Sequence, residues 1–360
     1  MDVIHIGLGV RGKHWLEIVR DHPGFTSVGC VDPEPSALEW TRTRFPNLSN
    51  ASYANLGEAL KNIKADAAIV ASPPPQHAVH CLEALEAGLA VMVEKPFVSS
   101  MEDALRVTER SESLKRPVLV AQNYRFIPIE RTLRQLIRQG RVGKVLSATC
   151  VARRRRPGKG TFLGTMDYPQ ITDVGVHNFD SLRGMLGIDA VAVSFRVSNP
   201  PWSDYRHGAV TEALIEMEGD VAVQYLGTLT SDRDEYSLWV EGEEGVLWTN
   251  RARVSWRKKG WRFFMPLRKV SVPKGDALPY PREGTTSLLN SLRNAVLHGQ
   301  EPETSARDNL QTLATIEAGK RSAEEHRRVM IREILQMASV PAANNGMALL
   351  MGNTMNSVSQ

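Results

Sequence analysis

Lys95 stands in Glu94-Lys95-Pro96, directly after the apolar run Ala90-Val91-Met92-Val93. A short apolar run closed by a proline reads as a strand buried on both faces. Open α/β sheets bind ligands in the crevice beyond the carboxyl ends of their strands, so this ammonium is expected to face a ligand. A second polar set lies in Thr172-Asp173-Val174-Gly175-Val176-His177-Asn178-Phe179-Asp180. Asp173 and His177 are four residues apart and share one face if the segment is an α-helix. A carboxylate beside an imidazole fixes its tautomer and makes it a better base near neutral pH. The same segment also suits an aspartate favoured by the helix dipole and a satisfied core histidine.

The ligand expected at Lys95 follows from the chain's first elements. Val3-Ile4-His5-Ile6 reads as a strand, then come Gly7-Leu8-Gly9-Val10-Arg11-Gly12, a helical pattern with Trp15, Ile18 and Val19, and a second strand ending at Asp32. Strand, G-x-G-x-x-G, helix, strand and acid form the context a dinucleotide-binding loop requires. Gly7 permits the tight turn, Gly9 lets backbone approach a pyrophosphate, and Gly12 lets helix and strand pack closely. Val10 and Arg11 then open the helix whose free N–H groups receive the phosphates. Asp32 is placed to accept hydrogen bonds from the adenosine ribose, and its charge would repel a 2′-phosphate, which favours NAD over NADP. Ser72 and Pro73, at the end of the strand Ala67–Ala71, and Glu94 are candidate cofactor contacts at the same edge. His77, at the next helix start, either touches the cofactor or caps the helix.

Helices alternating with buried strands up to Ala121 imply a doubly wound parallel sheet, a Rossmann-type domain over residues 1–122. From 123 to 335 the pattern changes to long alternating segments with turns at Glu218-Gly219-Asp220 and Gly242-Glu243-Glu244-Gly245. This predicts an α+β domain with a broad, mostly antiparallel sheet and one apolar face, suited to a homodimer or homotetramer. Residues 336–360 are read as a tail or an arm on a partner, because Pro341 to Gln360 carry no charge.

Composition narrows the class. At 360 residues two domains are expected. The net charge of +4 is small against 44 basic and 40 acidic residues, so nucleic acid is not an expected partner. Cys30, Cys81 and Cys150 are odd in number and far apart, which gives neither a disulfide framework nor a metal site and suits a reducing, cytoplasmic setting. The beginning of the chain has no secretory pattern, and no apolar stretch is long enough for a membrane span.

In the run Arg153-Arg154-Arg155-Arg156, alternation on a strand would send two guanidiniums into the crevice and two to solvent. Paired guanidiniums bind carboxylate or phosphate, and Arg153 is the candidate substrate contact. A solvated strand end or subunit contact is the other reading.

Taken together, these residues resemble the Gfo/Idh/MocA family, the glucose–fructose oxidoreductases, inositol dehydrogenases and relatives. The shared features are the glycine loop from Gly7 to Gly12, Asp32, the proline-rich strand end before His77, Glu94-Lys95-Pro96, Tyr124-Arg125, and Asp173-x-Gly175-x-His177-x-x-Asp180. The resemblance covers roughly residues 2–335. It implies hydride transfer between NAD and a sugar, polyol or derivative. Lys95 would contact both the nicotinamide ribose and the reacting hydroxyl, and His177 would accept the proton. Asp173 would orient His177 or hold a substrate hydroxyl, with Tyr124 as an alternative proton carrier and Arg125 beside it. A cis bond before Pro96 is also implied. Tyr168-Pro169-Gln170-Ile171 departs from the family's glycine cluster before the aspartate, so the substrate pocket is expected to differ. Two other readings remain at this point: glycoside cleavage with recycled NAD, and a non-catalytic dinucleotide-binding regulator.

Overall fold

The apolar runs of the first third form a six-stranded parallel sheet. The computed structural model describes residues 1–260, 266–275, 279 and 282–339. Its first elements alternate: β1 (Asp2–Ile6), α1 (Val10–Arg20), β2 (Thr26–Val31), α2 (Pro35–Arg44), β3 (Ser52–Tyr53), α3 (Leu56–Asn62), β4 (Ala67–Val70), α4 (His77–Glu86), β5 (Ala90–Val93), α5 (Met101–Leu114) and β6 (Val118–Val120). The strand order β3-β2-β1-β4-β5-β6 reverses direction of growth between β1 and β4. All pairings are parallel. Runs such as Ala67–Val70 and Ala90–Val93 are buried along their whole length because helices cover both faces. The crevice at the switch point therefore opens beside the loop after β1 and the ends of β4 and β5.

The chain continues through α6 (Pro128–Arg138), β7 (Val145–Arg155), α7 (Phe162–Thr165), a π-helical turn at Gln170–Gly175, α8 (Val176–Leu186), β8 (Ala190–Ser198), β9 (Val210–Met217), β10 (Val221–Thr228), β11 (Thr230–Gly242), β12 (Gly245–Thr249), β13 (Val254–Lys258) and β14 (Arg268–Val270). It closes with α9 (Thr285–His298), α10 (Ala306–Glu325), β15 (Val329–Met330) and α11 (Ile331–Ser339). The second sheet has nine strands in the order β14-β13-β12-β11-β7-β10-β9-β8-β15. It is antiparallel except that β7 and β10 run parallel, a pairing the alternation pattern did not disclose.

One face of this sheet is core. Cys150, Tyr225 and Leu238 are buried there with Val176 and Phe179 of α8 and Leu313 of α10. The opposite face is open. A row of neighbours, Leu214, Gln224, Thr149, Trp239 and Trp248, crosses it from β9 to β12. Among the described residues no helix is long and apolar enough to cross a membrane.

Two expectations change. The segment from Thr172 begins in a π-turn and becomes α-helical only at Val176. Residues 336–339, expected to open a tail, complete α11, because Ile331 and Ile334 bury against the core and hold the helix down. The stretch Pro341–Gln360 lies outside the described residues.

Candidate active site

The glycine loop fits a dinucleotide. Gly7 has φ +89°, and a Cβ there would run into the Ser72 backbone. A Cβ on Gly12 would strike the Gly7 carbonyl, so α1 reaches β1 only without a side chain. Gly9 faces open space and caps α1 with no side-chain acceptor, and no acidic residue occupies the first turn. The N–H groups around Val10 and Arg11 therefore lack side-chain competition, as a pyrophosphate site needs. Asp32 follows β2 and accepts from Leu8 N–H at 2.6 Å and Glu34 N–H at 2.9 Å. Each carboxylate oxygen keeps a second lone pair for a ribose hydroxyl.

Glu94 is a clamp. It accepts from Arg11 Nε and from Trp15 Nε1, and it takes the Lys95 backbone N–H at 3.2 Å. Burial pushes its carboxyl up, but the Arg11 guanidinium and the hydrogen bonds from Arg11 and Trp15 hold it below the usual range. The first turn of α1 is thereby pulled onto the end of β5. His77 neither caps α4 nor leaves a nitrogen for a cofactor. Its Nδ1 lies 3.0 Å from Pro96 O and 3.1 Å from Phe97 O, and its Nε2 lies 2.8 Å from Ser72 O. The buried ring braces the segment after Lys95, whose bond to Pro96 is cis. Ser72 lines the cleft, and Pro73 precedes the short turn at Pro74–Gln76.

A cleft of about 670 Å³ opens where the two sheets meet, with Arg11, Lys95, Tyr124, Asp173 and His177 in its wall. Lys95 Nζ donates to Asp173 Oδ1 at 2.8 Å and to Asp173 O at 3.1 Å. Burial works against the ammonium, but the Asp173 charge and hydrogen bond outweigh it and raise the lysine above its ordinary range. The expected Asp173–His177 pairing is absent. Asp173 sits in the π-turn, where the wider helix breaks the four-residue alignment, and its carboxylate turns to Lys95 instead.

His177 opens the first turn of α8. Its ring lies on Tyr124 with centroids 4.5 Å apart and planes at 23°. Its Nδ1 has no hydrogen-bond partner among the described residues. Burial, then the charges of Lys95, Arg251, Arg11 and Arg154, hold its pKa well below the ordinary imidazole value. These effects favour the neutral ring, whose buried Nδ1 is left unpaired among the described residues.

Two arginines expected at the substrate lie elsewhere. Arg125 forks onto Asp180 at 2.7 Å through both Nε and Nη2, pairs with Asp308 at 2.7 Å, and donates to Glu303 O. It is buried and ties the exit of β6 to α8 and α10. Arg153 points to the open face of the sheet and pairs with Glu235 at 2.8 Å. Ala148, Cys150 and Ala152 are the buried residues of β7, so strand parity sends Arg154 and Arg156 into the cleft.

Arg251 was not foreseen. It follows β12 with φ +62°, a left-handed backbone that is uncommon for a residue with a side chain. Its guanidinium lies 3.7 Å from the Tyr236 ring centroid and 4.3 Å from that of Tyr124. Nε bonds Glu130 Oε1 at 3.2 Å and Nη2 bonds Asn178 Oδ1 at 3.1 Å. Asn178 and Gln170 in turn both donate to the Tyr225 hydroxyl. Burial raises Glu130 to about 7 while Arg251 pulls it back. In sequence, Arg251 is only a basic residue in a turn after Asn250. Among the described residues no group of three or more His, Cys, Asp or Glu is placed to hold a metal ion.

Known proteins place this arrangement. Residues 1–122 match the oxidoreductase family with an NAD-binding Rossmann fold, and residues 131–248 match the GFO/IDH/MocA C-terminal domain. D-apiose dehydrogenase of Paraburkholderia graminis is 25% identical over 358 residues, covering 94% of this chain and 92% of that enzyme. Inositol 2-dehydrogenase of Corynebacterium glutamicum is 26% identical over 222 residues, 61% of this chain and 64% of that enzyme. The fold is shared with an oxidoreductase from Agrobacterium radiobacter crystallised with NAD+, L-tartaric acid and magnesium, with a TM-score of 0.81 at 19% identity over 92% of this chain and 99% of that one. The chain thus belongs to the Gfo/Idh/MocA oxidoreductases, as a dinucleotide-binding Rossmann domain followed by the family's C-terminal domain.

Proposed function

We propose that this protein transfers hydride between NAD and a hydroxyl-bearing carbon of a sugar, polyol or sugar derivative. The observation that supports it is the meeting of Lys95, from the dinucleotide sheet, with Asp173 and His177, from the second domain, on one cleft. The relatives named for D-apiose and inositol support the carbohydrate or polyol class.

The Gly7–Gly12 loop, the first turn of α1, Asp32 and Ser72 would hold the cofactor. The Asp32 carboxylate disfavours a 2′-phosphate, hence NAD rather than NADP. When bound, NAD supplies an acceptor for the two electrons and one hydrogen that leave the alcohol carbon. Lys95 donates toward the substrate oxygen and stabilises negative charge as it develops there. His177, biased to its neutral form by burial and then by the cations around it, takes the hydroxyl proton, and Tyr124 is the alternative carrier beside it. Asp173 holds the ammonium in place. The carbohydrate is the small-molecule partner. A second copy of the chain covers the open sheet face, giving a homodimer or a homotetramer.

The test is a panel of sugars, polyols and sugar acids with NAD and with NADP, followed by absorbance of the reduced cofactor. Turnover of at least one compound with NAD is expected, lost in Lys95→Ala while NAD still quenches protein fluorescence. A Lys95→Ala variant that turns over as fast as the wild type would remove Lys95 from the chemistry.

A further inference from the structure

Beyond Ala152, the last fully buried residue of β7, the strand continues toward the cleft and delivers Arg154 and Arg156 to the wall that also carries Lys95 and His177. The arginines are built in from the backbone. Arg156 N–H donates to Leu229 O at 3.0 Å, and Arg156 O accepts from the Tyr205 hydroxyl at 3.0 Å. Leu163 and Val174 line the same cleft as apolar neighbours. Two residues on one side of a strand lie roughly 7 Å apart, so both guanidinium forks can converge on one small group.

The charge count at this wall is uneven. Arg154 Nη1 lies 3.2 Å from Asp234 Oδ2, while Asp234 Oδ1 takes the Arg155 backbone N–H at 2.8 Å. That backbone hydrogen bond, then the charges of Arg154 and Arg156, hold the Asp234 carboxyl below its usual range. Arg156 has no ion pair among the described residues. The other cations of the cleft are matched: Lys95 by Asp173, Arg11 by Glu94 and Arg251 by Glu130. The remaining carboxylate, Glu283, whose pKa burial raises, feels Arg11 rather than the arginine pair. Two guanidiniums facing one carboxylate leave a surplus of about one positive charge beside the proposed reaction centre.

We propose that the substrate is a sugar acid of the aldonate or uronate type, its carboxylate held by Arg154 and Arg156 while its reacting hydroxyl lies at Lys95 and His177. This deepens, and rests on, the oxidoreductase reading above. A planar fork matches a carboxylate bidentately, and one surplus charge matches a monoanion. A phosphate dianion would leave unmatched negative charge against Asp234.

The experiment uses the full chain with NAD and a panel of epimeric aldonates and uronates, each beside its neutral aldose and its sugar phosphate. At least one acid is expected to show kcat/KM about tenfold or more above its neutral counterpart. In Arg156→Gln and Arg154→Gln that ratio falls toward one, mainly through KM for the acid. Arg153→Gln, on the outer face of the same strand, keeps the wild-type ratio. Equal use of acids and neutral sugars by the wild type, a ratio that survives Arg156→Gln, or a preference for phosphates would each overturn the assignment. If no compound is turned over, the oxidoreductase reading falls, and calorimetry with the same acids still decides the subsite. Salt-sensitive binding of an acid that Arg156→Gln abolishes supports it, and no acid binding to the wild type refutes it.

Discussion

Lys95 Nζ donates twice to Asp173, at 2.8 Å to Oδ1 and at 3.1 Å to the backbone carbonyl. The lysine follows β5 of the first sheet and the acid sits in the π-turn before α8, so this joint bridges the two halves of the cleft. The carboxylate keeps the partly buried ammonium charged, and the carbonyl fixes where it points. His177 is left without the acid, and burial followed by the nearby cations lowers its pKa instead.

That division gives opposite pH shifts. Burial alone lowers Lys95, and Asp173 more than offsets it, leaving the lysine above 10.5. In Asp173→Asn the burial effect remains and the attraction is lost, so the alkaline limb of kcat/KM moves to lower pH. Turnover also falls, by about 10²–10³-fold if the ammonium acts as the main electrostatic stabiliser. Superimposable pH profiles for the variant and the wild type would contradict this role.

Arg251 acts from the other side. Its charge helps hold His177 well below 6.5, so removing it favours the imidazolium and raises the histidine's pKa. In Arg251→Gln the acidic limb of the pH–rate profile should move toward neutrality. Glu130, already raised to about 7, then rises further and becomes neutral, so no buried charge is stranded. Arg251→Lys keeps the charge but loses the fork onto Glu130 and Asn178 and the planar contact with two tyrosines. There the limb stays and kcat falls. A purely structural role would shift neither limb, and the two variants would differ only in melting temperature.

Arg125 separates architecture from catalysis. Its guanidinium and the Asp180 carboxylate are almost fully buried, and Thr312 Oγ1 also donates to Asp180 at 2.9 Å. Arg125→Ala leaves a carboxylate buried and short of its main partner, a loss of about 3–5 kcal/mol. Urea denaturation should show a lower midpoint, and at permissive concentrations KM should stay near the wild-type value. A normal midpoint with a large rise in KM would restore Arg125 to the substrate site.

These corrections show where sequence reading reaches. The positions of the glycine loop, Asp32 and Lys95 at the strand ends were legible because each is set by its own strand and a few neighbours. The π-turn was not, since the extra residue leaves no mark in the spacing of Asp173 and His177; Gly175 hinted at it, because a Cβ there would meet Gln170 O and the Phe179 ring. Strand parity at Arg153–Arg156 was ambiguous because β7 alternates Cys150 and Ala152 with Thr149 and Val151, and neither set is strongly polar. Arg251 reaches Tyr124 only through the tertiary fold, which brings the turn after β12 against the helical turn after β6.

The open sheet face carries the proposed contact between copies. Trp239 and Trp248 meet there with centroids 6.3 Å apart, and Leu214 extends the row across Gln224 and Thr149. Trp239 is 37% exposed and Leu214 43% exposed, unusual for large apolar residues at the middle of a long sheet. Ion pairs such as Arg196–Glu212 and Arg153–Glu235 flank the row, an apolar centre with a charged rim. A second copy would cover the part of Trp239 that this subunit leaves exposed, together with the edge of Trp248 beside it. Trp239→Arg sets like charges against each other across a two-fold contact and should convert the assembly to monomer in sedimentation velocity runs. Arg268, in β14 at the sheet edge, lies outside the row, so Arg268→Glu should leave the assembly intact. A wild-type protein that sediments as a monomer at micromolar concentration would remove the second copy as the occupant of this face.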